Sequence, residues 1–116
     1  MKTVAILGAG ASGLMCAITV LKNLKCGLGR VVLLEKNERA GKKLLASGSG
    51  KCNLTNTYMS PEVYHSNSLD RVWNIIQNFD EKNITDFFSS IGIVCKTVNG
   101  TCVYPRSMQA SSSSTP

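Results

Sequence analysis

The apolar residues near the start of the chain fall into two blocks of different character. Residues 3–7 (TVAIL) are a short, partly β-branched run that stops at a glycine, which predicts a buried parallel strand. From Ala11 to about Leu24 the apolar positions change to helical spacing, with Leu14, Ala17, Ile18 and Leu21 on one face. Residues 8–13 between them form a glycine-rich turn. A loop with two glycines follows at residues 26–29, and then a second apolar strand, residues 30–35 (RVVLLE). A helical crossover of this length demands parallel pairing of the two strands, and such crossovers are right-handed.

The pattern then lapses. Residues 36–57 are polar and glycine-containing, with Leu44, Leu45 and Ala46 as their apolar cluster, and show neither a helical nor a strand period. A loop of this length inside a compact domain is a functional loop or a disordered one. Two amphipathic helices come next. Leu69, Val72, Trp73, Ile76 and Phe79 keep helical spacing behind Ser68 as N-cap and Asp70 in the first turn. Ile84, Phe87, Phe88 and Ile91 repeat it between Asp80 as N-cap and Gly92 as the stop. Residues 93–98 and 101–104 flank Asn99-Gly100, which predicts a hairpin with a two-residue type I′ turn. The aromatic and methionine positions read as core. The serine-rich end, residues 111–116, cannot supply a buried element and is expected to be disordered.

Charge adds one localised feature to this layout. The chain of 116 residues carries a formal net charge of +6. Residues 22–51 hold eight basic residues and two acidic ones, so this segment accounts for the whole excess. An anionic partner at the segment is one reading and a solvated basic face the other. The five cysteines are odd in number and form no C-x-x-C, which suggests neither a disulfide framework nor a zinc site; reduced thiols in a cytoplasmic protein fit them. Residues 3–21 carry no charge over 19 positions, the length of an export signal or a membrane span. Three glycines and Ser12 interrupt the stretch and argue against that reading, so no membrane partner is expected.

The chemistry sits on Gly8-x-Gly10-x-x-Gly13. Such a motif alone is weak, but here a strand precedes it and a helix follows. Gly8 serves the tight turn, Gly10 the approach of a pyrophosphate, and Gly13 with Ala17 the close packing of helix on sheet. The helix N-terminus at Ala11 and Ser12 offers free N–H groups to phosphates. Glu35 closes the second strand, 22 residues after Gly13, where a carboxylate accepts from ribose hydroxyls and repels a 2′-phosphate. The segment from Ser47 to Asn53 is suited to wrapping an anionic group through backbone N–H donors, and Lys42, Lys43 and Lys51 add charge to it. A flexible surface loop is the competing reading. It is not a P-loop, since Cys52 follows Lys51 and no strand-to-helix context surrounds it.

The stretches GAGASGLMCA, LLEKNERAGKKLLASGSGKCNLTN, SSIGI and CVYPRSMQASS, in this order, resemble the N-terminal part of the BaiN-type (YhiN-like) flavoproteins, which are NAD(P)/FAD-dependent oxidoreductases. The resemblance runs from residue 1 to about 112, and GKKLLASGSGKCNLTN is its most specific element. It implies FAD as cofactor. Gly8, Gly10, Ala11, Ser12 and Gly13 would hold its pyrophosphate and Glu35 its adenosine ribose. Lys36, Gly41, Lys42 and Lys43 would flank the phosphates. Ser47, Gly48, Gly50, Lys51, Cys52 and Asn53 would run toward the flavin ring, although a buried structural role for the Cys52 thiol competes with that. The family usually has Asn where Ser49 stands and Arg where Lys51 stands. Its members are several times longer, and their ASS pattern runs on into another apolar helix. Here Ser113, Ser114, Thr115 and Pro116 follow, and a fragment is expected.

Together these readings predict an α/β fold. It has a Rossmann-like βαβ start in residues 1–60, a helix pair and hairpin in residues 61–110 of the same domain or of an insertion, and a tail in residues 111–116. The domain is expected to be incomplete. The expected function is the FAD-binding portion of a flavin-dependent oxidoreductase that passes hydride from NAD(P)H to an organic acceptor. The alternatives are an FAD-dependent tRNA-modifying flavoprotein and a truncated, non-catalytic product. Nucleic acid is not expected as a partner, because the basic residues interleave with the cofactor segment. No catalytic acid or base can be named, and His65, the single histidine, reads as an exposed loop residue.

Overall fold

The computed structural model describes residues 2–25 and 27–111, and these form two compact units that divide between Ala46 and Ser47. The 60/61 boundary read from composition falls inside the second unit. Residues 112–116, where most of the expected disordered tail lies, are outside the described residues.

The first unit is the βαβ start. Strand β1 (Lys2–Leu7) and strand β2 (Gly29–Leu34) pair in parallel, in register from Lys2 opposite Gly29 to Leu7 opposite Leu34. Helix α1 (Ala11–Asn23) is the crossover. The uncharged stretch that has the length of a membrane span is therefore divided among strand, turn and helix. Among the described residues no helix is long and apolar enough to cross a membrane. On α1, Ala17 is buried and Leu14 and Ile18 are half-buried, but Leu21, expected on the same face, is 55% exposed. β1 also departs from the expected fully buried strand. Val4 and Ile6 are half-buried, while Thr3, Ala5 and Leu7 are exposed. A parallel sheet is buried on both faces only when helices cover both, and one crossover helix covers one face.

The first unit closes with helix α2 (Lys42–Ala46), within the stretch expected to be a loop. Leu44 and Leu45 of the apolar cluster are half-buried there.

The second unit is a helix pair with a three-stranded antiparallel sheet. Helix α3 (Leu69–Asn78) starts after Ser68, whose side chain makes no capping bond. Helix α4 (Glu81–Ser90) opens on a reciprocal capping box. The Asp80 carboxylate accepts from the Asn83 N–H at 3.0 Å, and the Asn83 side-chain oxygen accepts from the Asp80 N–H at 3.0 Å. It closes on a Schellman motif, with the Gly92 N–H donating to Ser89 O (3.0 Å) and the Ile93 N–H to Phe88 O (2.9 Å). Strand β3 (Thr55–Asn56), strand β4 (Cys95–Val98) and strand β5 (Cys102–Pro105) follow the order β3-β5-β4. The turn residues Asn99 (φ 54°) and Gly100 (φ 84°) both have positive φ, as a type I′ turn requires. Val98 nevertheless faces Cys102, so the loop holds three residues and Thr101 is not in the ladder. Val103 and Pro105 of the central strand, with Cys52 and Ala110, are the buried residues among those described in this unit. The aromatics expected in a core lie nearer the surface: Trp73, Phe87 and Phe88 are half-buried and Phe79 is 46% exposed.

Candidate functional site

The glycine turn joins the carboxyl end of β1 to α1, the end of a parallel sheet at which such folds bind ligands. The Gly8 N–H donates to Leu34 O (2.7 Å) and carries the β1–β2 ladder one bond past the strands. Gly13 is set by close approach. A Cβ there would lie 1.9 Å from Gly8 O, so α1 reaches the turn only because this residue has no side chain. Gly10 is different. It is the N-cap of α1, with extended backbone, and a Cβ on it would meet nothing within 4 Å. The space in front of it is an open cradle. The first helical bond is Leu14 N–H to Gly10 O (2.9 Å), so the N–H groups of Ala11, Ser12 and Gly13 precede it. A bare glycine cap, open space and three leading N–H groups suit an anionic group.

Glu35 follows β2 directly and sits across the turn. Its Oε2 accepts from the Ala9 N–H at 2.7 Å. Its Oε1 accepts from the backbone N–H of Asn37 at 2.9 Å and from Asn37 Nδ2 at 2.8 Å. The Asn37 backbone N–H above all, and then the Ala9 N–H, hold the carboxyl below the usual carboxylate range. It is thus an ionised, oriented acceptor at the mouth of the glycine turn. Ala9 is 1% exposed and its carbonyl accepts from the Gly41 N–H (2.7 Å), which fastens the segment leading into α2 to the same turn.

These residues surround an open cleft of about 960 Å³. Gly8, Gly10, Glu35, Lys36, Lys42 and Lys43 line it, and so do Leu7 and Leu34, the strand ends, which are 83% and 50% exposed. One wall is therefore apolar, one carries a carboxylate, and three lysines face the remainder. That donor set fits the ADP half of a dinucleotide, with an apolar surface for the base, a carboxylate for the ribose, and cations with helix N–H groups for the phosphates.

Ser47, Gly48, Gly50, Lys51, Cys52 and Asn53 belong to the second unit, where residues 47–50 form a tight turn with left-handed backbone at Gly48 and Ser49. Gly48, Ser49, Gly50 and Cys52 all have positive φ. The Cys52 N–H donates to Ser47 O (3.0 Å), and the Ala110 N–H to Gly50 O (2.8 Å). At Gly48 a Cβ would lie 2.6 Å from the Asn53 nitrogen and 3.2 Å from the Tyr104 ring. The segment is an ordered turn, not a featureless loop. Ser49 at φ 54° occupies a conformation that Asn adopts more readily, which rationalises Asn at this position in the resembled family. Cys52 is fully buried. His65 is exposed.

Sequence reasoning missed Ala9, Asn37, Leu7 and Leu34. Ala9 is a variable position of the glycine motif and acts through its backbone. Asn37 carried a usable signal, a short amide two residues after the key acid, where local side-chain hydrogen bonding is common. Among the described residues no group of three or more His, Cys, Asp or Glu could hold a metal ion.

Comparison with known proteins gives a consistent result. Residues 2–113 match the family described as HI0933-like protein Rossmann domain. Over 97% of its length the chain is 39% identical to the 3-dehydro-bile acid delta(4,6)-reductase of Clostridium scindens, of which it covers 27%. It is 32% identical over 76% of its length to the ribosomal RNA dihydrouridine synthase of Escherichia coli, covering 21% of that protein. With the ribosomal RNA dihydrouridine synthase of Haemophilus influenzae it shares 34% identity over 75% of its length, covering 23%. The chain thus spans about a quarter of the length of these curated relatives.

Proposed function

The chain belongs to the HI0933-like Rossmann domain family, and from that premise we propose that it is the FAD-binding N-terminal portion of a flavin-dependent oxidoreductase. The observation that carries the reading is the Glu35 carboxylate, hydrogen-bonded to the Ala9 N–H beside the open cradle at Gly10. Gly10 and the first turn of α1 would hold the pyrophosphate, through the leading N–H groups and the positive end of the helix dipole. Lys36, Lys42 and Lys43 offset the phosphate charge. Glu35 accepts from the ribose and disfavours a 2′-phosphate by like-charge repulsion, which separates FAD and NAD from NADP at this cleft. When bound, FAD supplies hydride transfer from a nicotinamide to an organic acceptor; the protein supplies binding and orientation.

The test is titration of the full 116-residue chain with FAD, ADP, NAD and NADP, followed by flavin fluorescence or calorimetry. FAD and ADP are expected to bind, and NADP at least about 10-fold more weakly than NAD, since a charge clash of about 1.4 kcal/mol is a tenfold change. A chain that takes up no FAD, or that prefers NADP, removes the reading.

A second reading keeps the flavin and changes the acceptor to a base in RNA. Two observations favour it: the dihydrouridine synthase relatives, and the confinement of the net charge of +6 to residues 22–51. The reductase relative is matched at higher identity over more of the chain, which ranks the small organic acceptor first. Gel-shift with a ribosomal RNA fragment at low salt separates the two, because phosphate contacts by this segment would give strongly salt-dependent binding.

A further inference from the structure

A carboxylate offers about four acceptor positions, two on each oxygen. At Glu35 the chain already uses most of them. The two Asn37 donors fill Oε1, at 2.9 and 2.8 Å, and the Ala9 N–H takes one position on Oε2, at 2.7 Å. The Lys36 backbone N–H adds a weaker contact to the carboxylate, and by hydrogen-bond geometry at most one position, on Oε2, stays open. A ribose has two vicinal hydroxyls, and this carboxylate has room for one. Asn37 itself lines the cleft, as Lys36 does.

We propose that Asn37 is a positioning residue that locks the Glu35 carboxylate in a one-acceptor orientation, so that Glu35 recognises a single ribose hydroxyl of the ADP half and leaves the other to solvent. This rests on the ADP-half reading of the cleft, and it goes beyond that reading by naming how the ribose is discriminated. The physical cause is saturation. An acceptor oxygen carrying two good donors gains little from a third, whereas the open position on Oε2 makes a charge-assisted bond. The Asn37 donors also stabilise the ionised form of Glu35, which must be ionised to accept. The alternative geometry, a carboxylate bridging both hydroxyls, needs Oε1 free of one Asn37 donor.

The experiment compares ADP, 2′-deoxy-ADP and 3′-deoxy-ADP on the full chain and on its Asn37→Ala and Asn37→Asp variants. For the unaltered chain, loss of one hydroxyl is expected to weaken binding about 10-fold or more, as for a hydrogen bond to a charged group, and loss of the other less than about 3-fold. Equal losses for both analogues overturn the proposal. In Asn37→Ala, Oε1 regains an acceptor position and the two analogues should converge. In Asn37→Asp the added negative charge should weaken all three ligands. A second readout needs no ligand: the Glu35 carboxyl, followed by NMR in the apo chain, should titrate at higher pH in Asn37→Ala than in the unaltered chain. An unchanged titration shows that the Asn37 side chain does not hold Glu35, and overturns the proposal even if FAD binds. Failure of ADP and FAD to bind, with the Glu35 titration shifted as expected, removes the functional reading instead and leaves the Asn37–Glu35 lock standing as a structural device only.

Discussion

At the residue scale, the second and third glycines of the motif perform separable tasks. Gly13 has no room, since its Cβ would overlap Gly8 O, and the neighbour is backbone that cannot step aside. Gly10 has room, and its extended φ of −80° suits any residue. Gly13→Ala should therefore lower stability, by about 1–3 kcal/mol as overpacking does, and lose cofactor binding with it. Gly10→Ala should cost less than about 1 kcal/mol, a change in an N-cap residue, and yet weaken FAD about as much. Denaturant midpoints and FAD titrations on both variants check this. If Gly10→Ala binds FAD normally, no phosphate passes over that residue. Glu35 belongs to the same scale, and it shows why a site can be half legible. The acid at the end of a second strand is visible from spacing. The donors that aim it are a backbone N–H of Ala9 and an amide at Asn37, and the first of these has no side-chain signature at all.

At the element scale, α4 is held at both ends and α3 is not. Asp80 and Asn83 exchange two bonds at the start of α4, whereas Ser68 makes no side-chain bond at the start of α3. Asp80→Ala should cost about 1 kcal/mol and Ser68→Ala less than half of that, read as urea midpoints of the two variants. Equal losses would mean that the cap bonds of α4 carry no stability. The same elements show which parts of the fold a sequence displays. β1, α1 and β2 are written in local period and glycine punctuation, so they are read within a residue or two of their true ends. β3 is two residues long and owes its strand state to pairing with β5, nearly fifty positions away, so nothing local marks it. The hairpin falls between these cases. Asn99-Gly100 fixes positive φ, but the register of Val98 against Cys102 is set by the strands and adds Thr101 to the loop. The exposed side of β1 is a third case. An apolar run reads as buried on both faces, and only the covering elements decide whether it is.

At the scale of the whole molecule, the first unit presents a Rossmann start with much of its apolar surface open. Its sheet has two strands, and among its described residues Ala9 and Ala17 are the buried apolar ones, while Leu7, Leu21, Leu28 and Leu34 are each at least half exposed. A unit that buries so little has little margin over the entropy cost of folding. Ligand linkage should then dominate its stability. FAD at 100 times its Kd adds about 2.7 kcal/mol to whatever it binds, a roughly 100-fold reduction in opening. The β1 and β2 amides, and those of residues 8–13, should exchange about 100-fold more slowly in saturating FAD, as measured by hydrogen exchange with mass spectrometry. ADP at 100 times its own Kd should protect the same amides equally, because linkage depends on occupancy and not on the size of the ligand. The contrast that decides the matter is therefore between the first unit and the rest of the chain. If FAD protects the chain only outside residues 2–46, the dinucleotide is held somewhere other than at the glycine turn, and the basic cleft at Lys36, Lys42 and Lys43 needs a different anion.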